Sequence, residues 1–158
     1  MMYLIHRMWK MWICCIINGD VNLDPRIFHQ ACTRLQYFPN IDMFASRTHH
    51  QLDNYCSLQL DSEAYHRNCF ELNWSEFFPY LNPPWEEISR TLLKIQQDRA
   101  YCLLLIPFLE SAYWFQLWKS LCVRSWIISC PLYLDENGKL RPPPKWKSCF
   151  SVMDGSNY

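Results

Sequence analysis

The chain has 158 residues, half of them apolar and 16% aromatic, with 15 acids balancing 15 Lys and Arg for a formal net charge of zero. That length and apolar content fit one domain with a substantial core and exclude an intrinsically disordered chain. The neutral balance excludes nucleic-acid binding through a global basic field, so such contacts must come from local clusters, Arg7 with Lys10, or Lys139, Arg141, Lys145 and Lys147.

The N-terminal stretch MMYLIHRMWKMWICCIIN is apolar but interrupted. Its unbroken run, Met11 to Ile17, is too short to span a membrane. The NGD that follows reads as a turn, not a small-residue cleavage site. We therefore expect no membrane partner and an intracellular chain, nuclear or cytoplasmic. Asp24 then offers a cap and Pro25 suits a first helical position, with Ile27, Phe28, Ala31 and Leu35 on one face of a helix. IDMFAS is a short strand over 41–45 that carries one acid, Asp42. NYCSLQL, 54–60, reads as a second strand, and 61–77 as irregular with a turn near Asn73. FPYLNPPW holds a third strand that must stop at its prolines, which cannot donate to a ladder.

EEISRTLLKIQQD is the best helix of the chain, with Ile88, Leu92 and Ile95 on one face and acids in its first turn. AYCLLLIPF is a continuous apolar strand of the kind buried on both faces of a sheet. SAYWFQLWKSLC reads as a helix capped by Ser111, with Trp114, Phe115 and Trp118 as core aromatics. RSWIISCPLYL is a further strand, and Asn137-Gly138 marks a hairpin turn. From RPPPKWK onward we expect a proline-rich basic tail of little structure. Strands alternating with helices make this an α/β fold with a mostly parallel sheet. Such sheets bind ligands outside the carboxyl ends of their strands, which points to the ends of IDMFAS and YLNPPW.

Nine cysteines without a C-x-x-C pair read as buried reduced thiols, not a disulfide framework. His49, His50 and Cys56 match no familiar zinc spacing, so no metal is expected. His49, His50 and Asp53 fall in a loop and are expected to face solvent.

Residues 82–85 carry the chemistry. The exocyclic amine of adenine is a poor nucleophile because its lone pair is delocalised into the ring. Alkylating it requires two rigid, closely spaced acceptors for its N–H groups. The Asn82 side-chain carbonyl and the next backbone carbonyl can supply them, because Pro83 and Pro84 restrict the backbone here. Trp85 can stack on the base, which must leave a duplex to be reached.

These pieces carry a resemblance. In order, LDPRIFHQACTRL, IDMFAS, QLDNYCS, CFELNW, YLNPPWEEISRTLLKIQQD and LLLIPFLESAYWFQLW resemble the phage-type DNA adenine methyltransferases. They resemble more closely the Dam-like methyltransferase domain of DIRS-type retroelement polyproteins, downstream of reverse transcriptase and RNase H. The resemblance implies a single Rossmann-like domain, minimal or truncated, with S-adenosylmethionine as cofactor and adenine-containing DNA as partner. It implies that Asn82, Pro83, Pro84 and Trp85 hold the flipped base and that Asp42, Phe44, Ala45, Ser46 and Asn68 lie at the cofactor. It divides the chain into an apolar stub over 1–19, a remnant of the preceding polyprotein region, the methyltransferase-like domain over 20–140, and the tail over 141–158. Two departures stand out. FASRTHH has no glycine where the family has a glycine-rich loop, and Asn68 stands where an acid is common. The alternative reading is therefore a catalytically inactive polyprotein fragment that keeps the fold as a structural or interaction module.

Overall fold

The computed structural model describes residues 22–157. The expected apolar stub over 1–19 and the NGD turn lie outside them. Strand β1 (Asn22–Leu23) leads into helix α1 (Pro25–Leu35), followed by β2 (Ile41–Ala45) and β3 (Tyr55–Ser57). Two 3-10 turns, Cys69–Glu71 and Trp74–Glu76, precede β4 (Pro79–Leu81). A third, Trp85–Glu87, opens α2 (Ile88–Asp98). Then come β5 (Tyr101–Pro107), α3 (Phe115–Leu121), β6 (Cys122–Ile128), β7 (Tyr133–Leu134) and β8 (Ser148–Asp154).

Six strands form one sheet in the order β3-β2-β4-β5-β8-β6, while β1 and β7 pair separately. The first four run parallel, and β8 lies antiparallel between β5 and β6. The fold is mixed α/β, as the alternation of elements predicts. Side chains alternate across the sheet and build a core on each face. Cys102, Leu104 and Ile106 of β5 point to the side covered by α2 and α3, where Ile88, Leu92, Ile95 and Trp118 pack. Leu103 and Leu105 point to the other side, against Phe28, Ala31, Cys32 and Leu35 of α1. A strand sandwiched this way reads as an unbroken apolar run.

Helix α1 starts as its sequence dictates. The Asp24 carboxylate accepts from Arg26 N at 3.0 Å, with Pro25 at the first position. Its C-cap is Gln36, in the left-handed region at φ 51°. Helix α2 ends the same way at Arg99, φ 52°. The Asn137-Gly138 turn forms as expected. Gly138 takes φ +77°, and the Asp135 carboxylate accepts from both Asn137 N and Lys139 N at 2.9 Å.

Three expectations are corrected. The tail over 141–158 is not unstructured, because Ser148–Asp154 is a central strand, almost wholly buried, with partners on both sides. The strand expected over 54–60 shortens to Tyr55–Ser57. Ser111 does not cap α3, which starts after Trp114 without a side-chain cap. The core aromatics Trp114, Phe115 and Trp118 are buried as expected, and Trp118 Nε1 donates to the buried Ser151 hydroxyl at 3.0 Å. Seven cysteines in the described region are free, five of them buried.

Candidate functional site

The chain leaves β2 for β3 on one side and returns to β4 on the other. Strand order therefore reverses between β2 and β4, the place where an open α/β sheet forms a crevice beyond its carboxyl edge. Ile41 pairs with Pro79 and Asp42 with Tyr80 in parallel register. Ala45-Ser46 and Asn82-Pro83 thus leave the sheet side by side. The Asn40 carboxamide, accepting from Phe78 N at 3.0 Å, fixes the opposite end of this pairing.

Asn82 is half-buried and Pro83 buried at the exit of β4. Among the described residues, no hydrogen bond holds the Asn82 side-chain amide. Pro84 sits at φ −54°, ψ 149°, and its carbonyl accepts from Glu87 N at 2.8 Å, turning the chain into α2. Asn82, Pro83 and Trp85 line a small pocket with Leu105, Tyr133 and Trp146. Its free space of about 10 Å³ is room for roughly one water molecule. Trp146 in this lining packs edge-on against the Trp85 ring at 4.9 Å and 77°.

Asp42 is 3% exposed and faces the α1 side beside Tyr80. One carboxylate oxygen accepts from Gln51 N at 2.9 Å, while Oδ1 has no partner among the described residues. Burial pushes its carboxyl up to about 6, against the pull of the Gln51 and Phe44 amides and of His50. Asp42 thus anchors the loop after β2. That loop needs no glycine. Among the described residues only Gln36, Arg99 and Gly138 have positive φ. The loop closes on itself through reciprocal Ser46–His49 backbone bonds of 3.0 and 3.1 Å. His50, expected to face solvent, is half-buried and stacks on Tyr55 at 4.3 Å. Phe44 turns to the other face and packs edge-on against Phe70 and Trp74.

Beyond β3 an open cleft of about 620 Å³ is lined by Asp61, Tyr65, His66, Arg67, Asn68 and Glu71, among others. Asn68 reaches it from the cap of the turn Cys69–Glu71, where its side-chain oxygen accepts from Phe70 N at 3.1 Å. Aspartate and asparagine cap equally well, so the departure at this position preserves the local fold. The Tyr55 hydroxyl donates to Asp61 and holds that carboxyl below its ordinary range. His66 pairs with Glu71 at 2.7 Å.

The strand ends thus bring together Asn82, Pro83, Pro84 and Trp85 at one place, Phe44, Ala45 and Ser46 beside them, and Asn68 across β2 in the cleft. Asp42 lies beneath, inside the fold. Asp61, Glu71 and Trp146 were not singled out from the sequence as site residues. An acid just past a strand end was the available signal for Asp61, and an aromatic within the prolines of RPPPKWK the signal for Trp146. Comparison with protein-family models and with curated proteins finds no match. Among the described residues no group of three or more His, Cys, Asp or Glu is placed to hold a metal ion, and no helix is long and apolar enough to cross a membrane.

Proposed function

We propose that this chain is a Rossmann-like methyltransferase domain of retroelement or phage ancestry, acting on the exocyclic amine of adenine in DNA with S-adenosylmethionine as methyl donor. The observation that carries this reading is the position of Asn82-Pro83-Pro84-Trp85 on the carboxyl end of β4, at the point where strand order reverses and beside the end of β2. A tetrapeptide that merely ended a strand could sit anywhere in the sheet. The cofactor supplies an electrophilic methyl on a sulfonium sulfur.

The cleft beyond β3 suits such a group in size. Asp61 and Glu71 offer carboxylate acceptors for ribose hydroxyls, and Asn68 offers amide donors. The end of β2, Phe44 to Ser46, lies between that cleft and the base pocket. There the Asn82 side-chain oxygen and the Pro83 carbonyl accept the two amine hydrogens, drawing the nitrogen toward a tetrahedral shape with a localised lone pair. With the methyl donor bound, the amine would take the methyl from the sulfonium, which would leave as the neutral thioether, and the Asn82 hydrogen bond would guide the surplus amine proton toward solvent. Trp85 fixes the ring plane by stacking.

The test is calorimetric titration of S-adenosylmethionine followed by methyl transfer to adenine-containing DNA. Asn82→Ala keeps cofactor binding and loses transfer by about a hundredfold or more. Transfer that survives this change refutes the mechanism. A second reading, the inactive module, is favoured by the closed loop 46–49 and the filled pocket at Trp85. It predicts a folded chain with no affinity for the cofactor.

A further inference from the structure

The proposed chemistry makes no use of the basic cluster over 139–147. Lys139, Arg141, Lys145 and Lys147 fall in this segment, which holds no acid, although the whole chain is neutral. Lys139, Lys145 and Lys147 are exposed and Arg141 is half-buried. Among the described residues none of the four forms an ion pair, whereas Arg26, Arg90 and Lys94 each face a carboxylate. The Asp135 carboxylate, in the turn just before the cluster, is taken up by the Asn137 and Lys139 amides.

The fold lays this cluster along one wall of the pocket at Asn82. Arg141 N donates at 2.9 Å to the carbonyl of Tyr133, a lining residue. Lys147 O accepts at 2.8 Å from Phe108 N, one residue beyond Pro107 of the lining. Lys145 and Lys147 flank Trp146, which belongs to the same lining. The two backbone bonds, with the fixed φ angles of Pro142, Pro143 and Pro144 between them, hold the segment in place. The cations are therefore pre-positioned, and using them requires no movement of the segment. Fixed cations interleaved with an aromatic ring are the makings of a surface for single-stranded nucleic acid.

We propose that the segment 139–147 is a phosphate-binding track, along which the backbone of a single-stranded nucleic acid runs past the pocket at Asn82. The track rests on the adenine reading above for the choice of a nucleic acid among polyanions. The attraction itself comes from the four unpaired cations.

Fluorescence anisotropy of a labelled, adenine-containing single-stranded oligodeoxynucleotide, titrated with the full chain at 50 to 200 mM salt, tests this. Single strands contribute about 0.7 to the logarithmic salt slope per neutralised phosphate, so four contacts predict an affinity that falls about 50-fold across that range. With Lys145→Gln and Lys147→Gln combined, two contacts remain and the fall shrinks to about sevenfold. Arginine at both positions retains the parent slope. So does Lys119→Gln, which removes an exposed cation on α3. No binding by the parent at 50 mM salt, or a double glutamine variant with the parent slope, overturns the track. Displacement of the oligonucleotide by phosphatidylserine vesicles at equal phosphate concentration overturns the nucleic-acid assignment in favour of a membrane surface. The adenine reading fails separately. Binding with the expected slopes but without methyl transfer keeps the track and sinks that reading, whereas transfer by the double glutamine variant at the parent KM sinks the track alone.

Discussion

Asp42→Asn isolates the most perturbed carboxyl beside the candidate site. Asp42 is buried, with one oxygen bonded to Gln51 N at 2.9 Å and the other without a partner among the described residues. Its carboxyl is pushed from the ordinary 3.8 up to about 6. The folded state therefore holds this proton more tightly than the unfolded chain does. Its contribution to stability is fully present below about pH 4 and is lost as pH rises through about 6. A gap of about two pH units corresponds to about 3 kcal/mol. Asparagine keeps an oxygen for Gln51 N but does not titrate. The variant should gain on the parent chain by about 3 kcal/mol between pH 4 and pH 7, whatever constant offset the exchange adds. Urea unfolding at intervals across this range measures the difference directly, and the other carboxyls, Asp24 and Asp61 included, cancel because both chains carry them. Parallel pH profiles would refute the claim that the unpaired oxygen of Asp42 is buried away from water.

Gly155→Ala should destabilise the chain by about 3 kcal/mol or more, since a Cβ there would lie 1.9 Å from Ile95 O and 2.8 Å from Ala100 N, both backbone atoms that cannot step aside. Thermal unfolding checks it, and a change below about 1 kcal/mol would mean that the end of β8 does not dock on the α2–β5 turn. Asp24→Ala removes the cap of α1 and should cost about 1–2 kcal/mol at neutral pH. The Arg26 hydrogen bond holds the Asp24 carboxyl below its ordinary range, so this loss should shrink as the pH falls through the carboxylate range.

Much of the fold was legible because the deciding signals are local. The cap and proline at 24–25, the apolar face of α2 and the long apolar run of β5 each lie within a dozen residues. Strand β8 was not legible. It is buried on both faces, so it shows no alternation, and its partners β5 and β6 lie far back in the chain. The prolines just before it suggested a loose tail, although they belong to the segment before the strand and not to the strand. The loop after β2 misled in another way. Its lack of glycine suggested a defect, yet its backbone keeps negative φ and is tied by Ser46, His49 and the Asp42 carboxylate.

The candidate site divides along the same line. Asn82 to Trp85 was legible because four contiguous residues hold the acceptors, the rigidity and the ring. Trp146 meets that site through the return of β8 into the sheet, which begins two residues later. The carbonyls of this turn are held by the proline backbone at 83–84 and by the β4 register, so local sequence fixes their geometry, whereas the Trp146 ring facing Trp85 is brought there by strand pairing far along the chain.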